Sequence, residues 1–99
     1  MTDLATVTAT DFESLEIRDF ARVVRQGEPP VSITLTDVRT GRPREGMRDP
    51  FTLTFTGPPH LTLDQGIHPL THPTMGMLEL FLVPVARDEG SVTYEAAFG

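Results

Sequence analysis

Two neighbouring runs decide how this chain is read: PFTLTFTG at residues 50–57 and LDQGIHPLTHPTMGMLELFLVPV at residues 63–85. In the first, Phe51, Leu53 and Phe55 alternate with Thr52, Thr54 and Thr56. Period-two alternation of β-favouring residues marks a half-buried strand, and Gly57-Pro58-Pro59 ends it. In the second, Asp64-Gln65-Gly66 signals a turn and Ile67 to His72 a short strand. Pro69 and Pro73 cannot donate to a ladder, so this strand belongs at an edge or bends. Met75-Gly76 marks another turn. Met77 to Val85 differs in kind: Met77, Phe81, Val83 and Val85 fall on one face and Leu78, Leu80 and Leu82 on the other. Only Glu79 and Pro84 interrupt. Such a run predicts a strand buried on both sides, central in a barrel or sandwich, or covered on one face by a helix or subunit.

Outward from this core the same pattern recurs. Val31, Ile33 and Leu35 alternate with Ser32, Thr34 and Thr36, predicting a strand over Val31 to Val38. Arg87-Asp88-Glu89-Gly90 reads as a hairpin turn, and Val92, Tyr94, Ala96 and Phe98 alternate with Thr93, Glu95 and Ala97 as a last strand. Thr10-Asp11-Phe12-Glu13 has the form of a capping box, predicting a short helix from Asp11 to about Glu16 with Phe12 and Leu15 on one face. The stretch IRDFARVVR that follows suits helix or strand, and the reading taken is a strand to Arg25. Met1 to Ala9 has no period and reads as a frayed tail or an arm that orders against a partner. Residues 1–99 thus make one mainly β domain of about six strands and one short N-terminal helix. The expected architecture is a small antiparallel sandwich or partly open barrel.

Composition bounds the function. Ninety-nine residues bury one core. No apolar run approaches the ~18 residues that span a bilayer, so no membrane role is expected. The N-terminus has no basic region, apolar segment or A-x-A site, which predicts a cytoplasmic protein, with non-classical export inside an assembly the alternative. With no cysteine, thiol chemistry and Cys-ligated metals are excluded. A net charge of -6 argues against nucleic acid, whose binding rests on cationic contacts to phosphate. All eight basic residues are arginine. Four of them, Arg39, Arg42, Arg44 and Arg48, gather in the loop read at 39–49, where they suit an acidic protein partner or another copy of this chain's acidic ends. The alternative is a solvated loop.

Chemistry has few places to reside. The histidines are His60, His68 and His72. His68 and His72 are four apart, a spacing that converges on a helix but separates ligands by roughly 13 Å along a strand. A turn that gathered them, with His60 or Glu79, would make a nitrogen/oxygen metal site. The blander reading is that His72 fixes a turn by bonding backbone. Ser14, Ser32 and Ser91 sit in no nucleophile elbow, and no phosphate-binding glycine loop occurs. Glu95 reads either as a buried carboxylate or as an outer-face acid paired with an arginine.

The stretch from Pro50 to Phe98 resembles an uncharacterised bacterial family of proteins about a hundred residues long, described only as a domain of unknown function. The resemblance rests on Pro50, Phe51, Leu53, Phe55 and Gly57, then on Leu63, Gln65, Gly66, Leu70, His72, Pro73 and Gly76. It continues through Leu78 and Leu80 to Pro84, and ends at Tyr94, Glu95, Ala96 and Phe98. The chain departs from the family pattern at His68, where an aromatic is usual, and near Ile17, where a glycine is. The first departure weakens a metal site built on His68. The resemblance implies a small β-rich domain with no assigned enzyme activity. It also implies relatives encoded near phage-tail-collar-like proteins, hence an accessory role in a fibre or tail-like assembly.

The leading expectation is a non-enzymatic protein–protein interaction or assembly module, without cofactor, partnered by another protein or by itself. One alternative is a small-molecule or metal-dependent site around His68, His72 and Glu95. Another is an assembly chaperone for a fibre-like subunit. Phe51, Gln65, Gly66, His72, Pro73, Gly76, Tyr94 and Glu95 are read as the folding signature that holds the functional surfaces in place.

Overall fold

A computed structural model describes residues 4, 6–23, 26–42, 45–46 and 49–98. A short helix, α1 (Ala9–Glu13), precedes six strands: β1 (Asp19–Arg22), β2 (Val31–Thr40), β3 (Phe51–Gly57), β4 (Gly66–His72), β5 (Gly76–Arg87) and β6 (Val92–Phe98). All pair antiparallel, in the order β1-β2-β3-β6-β5-β4, and the sheet closes into a barrel. Of the two architectures expected, the chain adopts the barrel.

Alternation decides which way each strand faces. Phe51, Leu53 and Phe55 of β3, Leu70 of β4, Leu78, Leu80 and Leu82 of β5, and Val92, Tyr94 and Ala96 of β6 fill the interior. Phe20 of β1 meets Phe55 edge-on at 5.4 Å. Phe12 of α1 closes one end against Phe51 and Phe98, which stack on each other at 4.5 Å. Gly57 keeps the inward phase of β3 where no side chain fits: a Cβ there would lie 3.1 Å from Ile33 Cγ2. The Tyr94 hydroxyl accepts the Leu63 N–H at 2.9 Å, so the polar tip of this buried ring is satisfied inside the barrel.

A β-bulge between Leu35 and Asp37 shifts the phase of β2. Val38 then packs against the core and Arg39 faces out, the reverse of what uninterrupted alternation gives. β2 accordingly runs to Thr40, two residues beyond the strand predicted, and the connecting loop begins at Gly41, whose N–H bonds the Pro50 carbonyl at 2.7 Å.

Three further expectations need correction. The helix starts two residues early, because the Asp11 carboxylate reaches back to the Thr8 N–H at 2.8 Å, so Thr8 and not Thr10 stands at its N-cap. Within the stretch read as an arm, Val7 is buried and Leu4 and Ala9 pack against the core, so these residues belong to the fold. The third concerns β5. Its inner leucines are buried, but Met77, Phe81 and Val85 on the outer face are 43%, 51% and 48% exposed. A barrel wall has one interior side, and these three stand on the other, half open to water, with Leu4 lining a pocket beside Ile67 and Phe81.

Candidate interaction face and histidine seam

The outer surface of the barrel divides by composition. On β3 and β6 it carries Thr52, Thr54, Thr56, Thr93 and Glu95, all half-buried by their neighbours. On β4 and β5 it carries Ile67, Pro69, Thr71, Met77, Glu79 and Phe81, all exposed. The antiparallel register sets Ile67 directly opposite Phe81, Pro69 opposite Glu79 and Thr71 opposite Met77. Ile67 is 65% exposed. The result is an apolar face with one carboxylate, that of Glu79, and no hydrogen bond or ion pair engages it among the described residues.

The arginine cluster is only partly in view. Arg39 donates to Glu95 at 2.9 Å and lies 3.9 Å from Asp37, so its charge is spent within the molecule. Arg42 is exposed in the loop after β2. Arg44 and Arg48 lie outside the described residues. Glu95 is therefore the outer-face acid with an arginine partner, not a buried carboxylate.

His68 and His72 both point inward from β4 and are nearly buried. His72 holds the turn that it begins: its Nδ1 lies 3.1 Å from the Thr74 amide and 3.2 Å from the Met75 amide, accepting from both. Its Nε2 donates to the Ile17 carbonyl at 2.7 Å, and its ring packs 4.7 Å from Phe20. Gly76 closes the same turn at φ +74°, a conformation suited to glycine, with Pro73 opening it. His68 accepts from Arg22 Nε at 3.2 Å and sets its Nε2 2.6 Å from the Asp64 carbonyl. Gln65 is exposed in the turn before Gly66, whose φ of +153° again suits glycine.

These placements separate the residues of the alternative metal site. The two histidines face the interior of β4 and bond other groups, while Glu95 faces outward on β6 and Glu79 outward on β5. His60 follows Gly57, near the end where Arg87 binds the Pro59 carbonyl, opposite the end that holds His72. Among the described residues no group of three or more His, Cys, Asp or Glu side chains is placed to hold a metal ion. The Arg22–His68 contact, between residues 46 positions apart, carries no signal in the sequence.

The class is thus a small closed antiparallel barrel with one polar and one apolar outer wall. The chain belongs to the family described as Domain of unknown function (DUF6916), whose model matches residues 7–98. No curated protein and no solved structure matches it. No helix among the described residues is long and apolar enough to cross a membrane.

Proposed function

We propose that this protein is a non-enzymatic interaction module that docks onto a partner protein through the outer face of β4 and β5, as an accessory of a multi-subunit, fibre- or tail-like assembly. The observation that carries the reading is the exposure of Ile67, Met77 and Phe81 side by side on that face. Burying such side chains is worth about 1.5–3 kcal/mol each, so a wall that leaves three in water has much to gain from cover. Two-fold packing of the face on its own copy would bring two Glu79 carboxylates together on a chain of net charge -6. The partner that suits it presents apolar side chains and an arginine or lysine for Glu79.

Native mass spectrometry of the chain with its co-purifying proteins tests this. The expected result is a defined complex with the wild type that is lost in the I67T/F81S double variant. A strict monomer at high concentration that retains no protein would contradict the proposal.

A further inference from the structure

The barrel closes unevenly. β3 and β6 share seven ladder pairs, and β4 and β5 share seven. β1 and β4 share one, Ala21 with Thr71. Two residues along β4 from that pair stands Pro69, which has no N–H to extend the ladder. Among the described residues, the other hydrogen bonds across the seam come from side chains: Arg22 of β1 to His68 of β4, and His72 of β4 to the carbonyl of Ile17, two residues before β1.

The partners fix the state of both rings. A carbonyl oxygen only accepts, so Nε2 of each ring carries a proton, toward Asp64 in one case and Ile17 in the other. A backbone amide only donates and arginine stays protonated, so Nδ1 of each ring presents a lone pair, to Arg22 at His68 and to Thr74 and Met75 at His72. Both rings are therefore neutral and oriented the same way. A second proton would have to enter at Nδ1, the atom that each contact needs as an acceptor.

We propose that His68 and His72 make the β1–β4 seam a proton-sensitive latch, closed while both rings are neutral and released when they take up a proton. The two sites differ in tolerance. At His68 the new proton faces the Arg22 guanidinium, whose terminal nitrogen is already bound to the Val23 carbonyl, so two cations meet and the contact across the seam is lost. At His72 the Thr74 hydroxyl lies 3.2 Å from Nδ1 and accepts in place of the displaced amides.

The surroundings offer no counter-charge. From β1, Asp19 is exposed and takes the Thr34 hydroxyl at 2.7 Å. From the approach to β1, Arg18 is turned to the Glu13 carbonyl. From the loop before β4, Asp64 engages His68 by its backbone while its side chain is exposed. From β5, Glu79 faces the outside of the wall. No carboxylate among the described residues bonds either ring. Release of the seam frees β1 and bares the facing edges of β1 and β4, leaving the β2–β3–β6 wall in place. This inference does not depend on the docking face.

Nuclear magnetic resonance on the intact chain tests it. Imidazole nitrogen shifts at neutral pH are expected to report Nε2–H in both rings. On acidification from about pH 7.5 to about pH 5, amide protection at Ala21 and Thr71 is expected to fall by about tenfold or more while that of Leu53 and Tyr94 persists. H68N, which presents an acceptor to Arg22 without gaining a proton, should keep the seam protected under acid. The proposal is overturned by Nδ1–H rings, by rings that titrate with the seam still protected, or by protection lost evenly around the barrel. It is also overturned if the whole chain unfolds before either ring titrates.

Discussion

The two walls of this barrel are built to different rules. The β2–β3–β6 wall has long ladders and an outer surface of threonines, with Arg39 paired to Glu95 across them. Alternation there runs apolar inside and mostly hydroxyl outside, broken once by the bulge in β2. The β1–β4–β5 wall departs from those rules: a single ladder pair joins β1 to β4, side chains help to close that seam, and apolar residues stand on both faces of β4 and β5. Local rules that fail in one region while the core stays filled point to a use for that region. The docking face proposed for a partner lies on this second wall.

The sharpest contrast is between phenylalanines of opposite phase. Phe55→Ala, which empties a fully buried site against Phe20, is expected to cost about 3–5 kcal/mol in urea unfolding. Phe81→Ala, on the outer face of β5, should stay within about 0.5 kcal/mol of wild type. An equal cost at the two positions would mean that the outer face is covered within the chain. Next in size is Tyr94→Phe, which leaves the Leu63 N–H buried without its acceptor, at an expected cost of about 1–3 kcal/mol by the same measurement. A small effect is also expected on the polar wall. Glu95→Gln removes a half-exposed ion pair with Arg39 and should cost under about 1 kcal/mol, with the difference shrinking as salt is added.

Much of this was legible in the sequence where one face is apolar and the other is not. Phe51 to Gly57 and Val92 to Phe98 declare their inward residues by alternation, and the structure pairs the two strands along their whole length. Met77 to Val85 reads as covered on both sides because a two-sided apolar run looks the same whether the cover is this chain or another protein. Closure into a barrel rests on four residues of β1 with a mixed pattern, so alternation alone left sandwich and barrel open. The bulge in β2 has no residue that announces it, yet it decides that Arg39 reaches Glu95. The Thr8–Asp11 cap was overshadowed by the equally good spacing of Thr10 and Glu13. The turn role of His72 was foreseeable from the proline that follows it. Its bond to Ile17, 55 residues away, was not.

The most direct test of the central claim compares the walls in the cell. A photo-crosslinking phenylalanine analogue is placed at Phe81 in one variant and at Thr54, on the threonine wall, in another. The account predicts that position 81 yields one defined crosslinked species and that position 54 yields none. Equal crosslinking from both positions, or none from position 81, would contradict it.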